Sequence, residues 1–269
     1  MGHAILSGVF TRLAEHPQDL PDSFIATVGR ESSIPALRDS FTTSQEIAFK
    51  SGDEGNLEAI RDADMVLLAC KPYMAKTILG KPGVKDALKG KVLASVLAGV
   101  TMAQLREWAG EECQVVRTMT NTPSKIGAGM TLLTPTTSPL TTTRLHAIFS
   151  SCGRVLTTPE PQFNTCTALA GSGPAFVAVM IDAMADGAVL MGLPRKEAVE
   201  IAAQTLMGTA KMILETGVHP AALKDGVTTP GGCTIAGLVR MEDGNIRSTL
   251  ARTIEAATLH AAGLGQEKK

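Results

Sequence analysis

The chain has 269 residues and a formal net charge of −1, long enough for two modest domains and without an electrostatic reason to bind nucleic acid or a membrane surface. Aromatic residues make up 3% of it, with Trp108 and Tyr73 the single Trp and Tyr, which excludes base-stacking or sugar-stacking platforms. Cys70, Cys113, Cys152, Cys166 and Cys233 are odd in number and no pair has metal-ligand spacing, so they read as small buried residues in a reducing compartment, with no metal site and no disulfide framework.

The first residues, MGHAILSGVFTRL, carry a helical stripe of Ala4, Ile5, Leu6, Val9, Phe10 and Leu13 with Gly2 and Gly8 on it. This matches the later part of a dinucleotide-binding turn, G-x-G-x-x-G, with Gly2 as its third glycine. The strand and the two glycines that open such a turn do not stand before it, so a first strand is expected to be missing from an otherwise Rossmann-like domain. Residues 24–28, FIATV, read as a buried strand. At the end of such a strand an acidic side chain favours NAD, whereas Arg and Ser suit the 2′-phosphate of NADP. Arg30 and Ser32 lean toward NADP here, and Glu31 argues the other way.

A helical run from Asn56 to Asp64 is followed by a strand at 65–70, MVLLAC, and then by Lys71-Pro72. Further strands are expected at 92–97, before Ala98-Gly99-Val100, at 115–118, before Asn121 and Pro123, at 127–134 and at 155–158. Thr101 is placed to cap a helix through Leu105 and Trp108. Residues 134–143, rich in Thr, Ser and Pro, read as a loop, and 145–152 as a helix. Strands alternating with helices imply a parallel sheet covered on both faces.

Composition shifts at Pro159-Glu160-Pro161, which divides the chain into 1–159 and 160–269. No strand pattern follows. Gly171-Ser172-Gly173-Pro174 reads as a break, with Pro174 in the first turn of a helix that runs to Met191 and is apolar nearly all round. A helix this apolar calls for cover on several sides, and in so small a domain another subunit can supply it; no run is expected to cross a membrane, and no signal peptide is expected. Asp182 and Asp186, four apart on that helix, read as structural. A second long helix is expected at 195–216, ended by Gly217, and a last one at 245–264, with a loose tail at 266–269.

Between the last two helices lies PAALKDGVTTPGGCTIAGLVRME, residues 220–242. Pro230 stiffens the approach, and Gly231 and Gly232 remove side chains where a helix with Ile235, Leu238 and Met241 on its stripe begins. Bare N–H groups at a helix N-terminus suit a small anion such as a carboxylate. Thr228, Thr229 and Thr234 bring hydroxyls to the same spot, and the plain alternative is a tight turn with Thr234 as a capping residue. The run from Pro220 and Leu223 through Val227, Thr228, Thr229, Gly232, Thr234, Gly237, Leu238, Met241 and Glu242 resembles the signature of the pyrroline-5-carboxylate reductases.

The resemblance covers the whole chain and implies an α/β fold, a Rossmann-like NAD(P)-binding domain followed by an all-helical substrate-binding and dimerisation domain. It implies reduction of 1-pyrroline-5-carboxylate to proline by NADPH, with NADH as the other option, in a cytoplasmic homodimer or ring of dimers. By position, Val227, Thr229, Gly231, Gly232, Cys233 and Thr234 would hold the substrate, with the Thr234 hydroxyl facing the imine nitrogen as the catalytic group. Gly2, Arg30, Ser32, Asn56, Lys71, Pro72, Ala98, Gly99 and Asn121 would hold the cofactor, and Thr120 stands where the family usually has Pro. A related hydroxyacid reductase would place a Lys on the long interdomain helix, and none lies between Pro174 and Met191. A related NADP-dependent imine reductase and a truncated subunit without catalysis are the other readings.

Overall fold

The computed structural model describes residues 1–13, 20–41 and 46–263, so the tail expected at 266–269 lies outside the described residues. The chain divides into two compact units, Met1–Gly171 together with Ala257–Lys269, and Ser172–Ala256. The first unit runs α1 (Gly2–Leu13), β1 (Phe24–Val28), α2 (Ile34–Asp39), β2 (Ile47–Ser51), α3 (Gly52–Asp62), β3 (Met65–Leu68), α4 (Ala75–Leu79), α5 (Val84–Leu88), β4 (Val92–Ser95), α6 (Met102–Ala109), β5 (Gln114–Thr120), β6 (Gly129–Leu133), α7 (Pro139–Ser150), β7 (Gly153–Thr157) and α8 (Phe163–Cys166).

The strands form two sheets, a parallel β1–β2 pair and a five-stranded sheet in the order β3-β4-β5-β6-β7. Among the described residues no strand stands between β1 and β3. Instead α1 serves both sheets. Its Ile5 packs with Ala94, Val116, Leu133, Leu145 and Phe149 over the larger sheet, and its Val9, Phe10 and Leu13 pack with Phe24, Phe41 and Ile47 over the pair. The other face of the larger sheet is closed by Leu79, Val84, Leu88 and Leu105 on α4, α5 and α6, against Leu93, Leu97 and Val115. Each fully buried Leu, Val or Phe of this kind contributes about 1.5–3 kcal/mol relative to exposure.

An all-parallel sheet is not what forms, because β5 and β6 pair antiparallel, with Thr118 opposite Leu133 and Thr120 opposite Thr131. The reason is the connection. A parallel crossover needs about a dozen residues or more, whereas here a 3-10 turn at Thr122–Ile126 and Gly127, at φ 70°, reverse the chain. The loop expected at 134–143 is shorter than read, since α7 begins at Pro139. The Ser138 hydroxyl accepts from the Thr141 N–H, and the Thr142 and Thr143 hydroxyls fold back on the Ser138 and Pro139 carbonyls, which removes their competition with the helix.

The second unit holds α9 (Gly173–Leu190), α10 (Arg195–Thr216), α11 (Pro220–Gly226), α12 (Cys233–Asp243) and most of α13 (Ile246–Gly263). Gly217, at φ 69°, ends α10 in the left-handed region. Arg195 pairs with Asp186 at 2.5 Å and with Asp182 at 4.0 Å, so the two carboxylates clamp the α9–α10 turn. Gly171–Pro174 does not break the chain as expected. A π-turn at Thr167–Gly171 carries helical backbone into α9, and residues 160–190 form a helical run long and apolar enough to cross a membrane by length and composition. That corrects the expectation that no such run exists; the signal was hidden because a wide π-turn absorbs the glycine that would otherwise end a helix.

Candidate active site

Between α11 and α12 the chain makes a tight turn, in which the Gly232 N–H donates to the Thr229 carbonyl at 3.0 Å. Pro230 fills the second corner and Gly231, at φ 68°, the third, the arrangement of a type II turn. A Cβ on Gly232 would lie 2.5 Å from the Thr229 hydroxyl oxygen and 3.2 Å from the Thr229 carbonyl oxygen, so both glycines are required, one by conformation and one by space. Gly232 is the N-cap residue of α12 and no side chain caps the helix. The N–H groups of its first turn, from Cys233 and Thr234 onward, are therefore open to an outside acceptor at the positive end of the helix dipole.

Thr234 is the second residue of α12 and Gly232 its N-cap, so the Thr234 hydroxyl is not the cap of this helix. The side chain is half-buried and makes no hydrogen bond among the described residues. Thr228 is spent differently, its hydroxyl donating to the Lys224 carbonyl at 2.7 Å at the end of α11. Val227, Thr229 and Cys233 are exposed on this loop. His219 was not singled out by the sequence, yet its Nδ1 accepts from the Ala221 N–H at 3.2 Å and caps α11, fixing where the loop starts.

In the first unit most residues expected at the cofactor follow the carboxyl ends of strands, the side on which open α/β sheets bind ligands. Arg30 and Ser32 follow β1, Lys71 and Pro72 follow β3, and Ala98 and Gly99 follow β4, Gly99 at φ 78°. Gly2 opens α1, and a Cβ there would stand 3.0 Å from the Ala69 Cβ just beyond β3. Any side chain there would crowd Ala69, so glycine suits a helix start this close to the strand end, the packing role of the third glycine in a dinucleotide turn. Asn56 lies within α3, half-buried, about one turn in from the end of β2.

Asn121 has other work. Its Oδ1 accepts from the Met130 N–H at 2.9 Å and its Nδ2 donates to the Ala170 carbonyl at 3.0 Å, so its amide ties the end of β5 to β6 and to the π-turn. Beside it lies a charged cluster that sequence reading missed. Arg117, on β5, is 5% exposed. Its Nη1 is 3.6 Å from Glu160 Oε1, its Nη2 donates to Asn164 Oδ1 at 3.4 Å, and its guanidinium sits 4.8 Å over the Phe163 ring. Burial pulls this guanidinium below its ordinary pKa, and Glu160 opposes the shift. The signal was an Arg in the middle of QVVRTMT, because a cation in a buried strand requires a partner.

Residues 160–264 match the family described as pyrroline-5-carboxylate reductase dimerisation, and residues 1–99 the family described as NADP oxidoreductase coenzyme F420-dependent. The pyrroline-5-carboxylate reductase of Schizosaccharomyces pombe is 41% identical over 274 residues, spanning 99% of this chain and 96% of that protein. Among solved structures, a pyrroline-5-carboxylate reductase from Coxiella burnetii superposes with a TM-score of 0.83 at 28% identity, over 98% of this chain and 96% of that one. The Plasmodium falciparum pyrroline carboxylate reductase with NADP bound superposes with a TM-score of 0.79 at 26% identity, over 99% and 95%.

Proposed function

The chain belongs to the pyrroline-5-carboxylate reductase family, and from that premise we propose that it reduces the C=N bond of 1-pyrroline-5-carboxylate with NAD(P)H to give L-proline, the last step of proline synthesis. The observation that carries this reading is the start of α12, with open N–H groups behind a Pro-Gly-Gly turn and a threonine hydroxyl without a hydrogen-bond partner among the described residues. The N–H groups of Cys233 and Thr234 take the substrate carboxylate, and Thr234 donates a hydrogen bond to the imine nitrogen. A hydroxyl is a poor acid at neutral pH, so Thr234 orients and polarises while the proton comes from water or an already protonated substrate.

NAD(P)H supplies the hydride when bound. The close approach of Gly2 to Ala69 fits a dinucleotide at the start of α1. On this reading Arg30 and Ser32 would take the 2′-phosphate, and Lys71, Pro72, Ala98 and Gly99 the remainder of the cofactor, with Asn56 on α3 at its adenosine side. Asn121 acts by holding the β5 end in shape. We put the functional boundary between 159 and 160, a reading supported by the dimerisation match over residues 160–264, although the compact units divide after Gly171. The exposed apolar residues of α9 and α10, among them Val179, Leu190, Met191 and Ile201, fit a homodimer, single or in a ring of dimers, and that cover accounts for the apolar run at 160–190 in a cytoplasmic enzyme.

The test is NADPH oxidation by the purified chain with pyrroline-5-carboxylate. Thr234→Ala is expected to lower turnover by more than it weakens NADPH binding; unchanged turnover would remove Thr234 from the mechanism. Arg30→Ala is expected to reduce kcat/KM for NADPH more than for NADH, and equal losses would take Arg30 away from the 2′-phosphate.

A further inference from the structure

We infer that Arg117 and Glu160 are positioning residues for the reductase, holding the start of α6 and thereby the Ala98–Gly99 loop that faces the cofactor. The inference rests on the functional reading only in assigning that loop to the cofactor.

The geometry begins with one carboxylate oxygen. Glu160 Oε1 accepts the Met102 N–H at 2.7 Å, across a separation of 58 residues, and the same oxygen faces Arg117 Nη1 at 3.6 Å. Met102 is the first residue of α6, and the turn ahead of it is already fixed locally. The Gln104 N–H donates to the Thr101 hydroxyl and the Thr101 N–H to Gln104 Oε1, a reciprocal capping box. Glu160 thus satisfies a third N–H of the same helix end from a distant part of the chain. An anion there is also favoured by the helix dipole.

The loop this anchors is short. Leu97 and Val100 are buried on either side of it, while Ala98 is exposed and Gly99 half-buried with positive φ. Two accessible residues are therefore suspended between two apolar anchors and a helix start held by three side-chain bonds. Arg117 keeps Glu160 in place. Its guanidinium is over Phe163 and bonded to Asn164, and it cannot leave the interior without breaking both contacts. Because hydride transfer depends on alignment at the sub-ångström to ångström scale, a slack helix start here is felt as lost turnover rather than only as lost stability.

The experiment compares Glu160→Gln, which keeps an oxygen for the Met102 N–H but leaves Arg117 without its counter-charge, with Glu160→Ala, which removes both. Gln104→Ala loosens the same helix end without touching Arg117. NADPH affinity is read by nicotinamide fluorescence, which needs no turnover, beside kcat, both KM values and Tm. The expected result is a weaker NADPH affinity and a kcat lowered by about tenfold or more for Glu160→Ala, a smaller effect for Glu160→Gln and for Gln104→Ala, and a KM for pyrroline-5-carboxylate within about twofold of the parent. A folded Glu160→Ala with parental NADPH affinity and kcat overturns the inference. So does a loss in all three variants that follows Tm alone and disappears when the assay is cooled. If Glu160→Ala does not fold, Glu160→Gln decides on the same readouts. Should the parent bind NADPH without reducing pyrroline-5-carboxylate, the functional reading fails, and the fluorescence affinities of the variants still decide the positioning role.

Discussion

The two units solve the burial of apolar side chains in opposite ways. In the first, Phe149, Phe163, Ile5, Leu93, Leu105 and Leu145 are essentially inaccessible. In the second, the buried apolar residues among those described are Ala185, Ala198 and Ala202, while Val179, Leu190 and Met191 stand 68%, 85% and 84% exposed. One unit carries its own core. The other buries small residues and leaves large ones exposed, the surface that the proposed homodimer would cover.

The comparison breaks first at its largest expected effect. Val179→Asp is expected to prevent self-association and abolish turnover, read by light scattering beside the assay. Leu156→Asp, on the outer strand β7 of the first unit and 52% exposed, should change stability by less than about 0.5 kcal/mol. Equal effects from the two would mean that the exposed helices are not an interface. Next, Phe149→Ala should cost about 3–5 kcal/mol in denaturant unfolding, since it opens a cavity in the core of the first unit. A loss below about 1 kcal/mol would show that this core is less tightly packed than its burial implies. A smaller local effect is expected from Gly231→Ala, where a side chain in the left-handed region costs about 1–2 kcal/mol and should raise the KM for substrate without altering NADPH affinity; an unchanged KM would free the turn from that role. The smallest is a matter of order. Cys233 is exposed, whereas burial pushes the Cys113 thiol up to about 11 and also raises Cys152. Thiol reagents should modify Cys233 first, and proline should slow that step; labelling of Cys113 before Cys233 in native protein would contradict the packing.

Much of this was legible because local rules and the final fold agree. The strand run at 24–28, that read at 92–97 and found at 92–95, the Thr101 cap and the Gly217 stop are read from a few neighbouring residues. The turn at Gly231-Gly232 was legible for the same reason, since Pro-Gly-Gly has few conformations open to it. What was missed depends on partners far along the chain. The antiparallel β5–β6 pair follows from a reversal that the residues of β6 do not announce. Glu160 finds the Met102 N–H across 58 residues, and the Asn121 amide finds Ala170 across 49, so neither role can be seen from nearby sequence. Short segments such as β2, α4 and α5 carry too few residues to show a period.

The gap between the two sheets has a kinetic consequence. Among the described residues the β1–β2 pair reaches the remainder of its unit through α1 and α3 rather than through a backbone ladder, and no strand pairs with the outer edges of β1 and β3. Opening the pair therefore breaks side-chain contacts without unzipping the five-stranded sheet. Its amides should exchange with deuterium on a faster clock than those of β4 and β5, and NADPH, bound across the ends of β1, β3 and β4 as proposed, should bring the two clocks together.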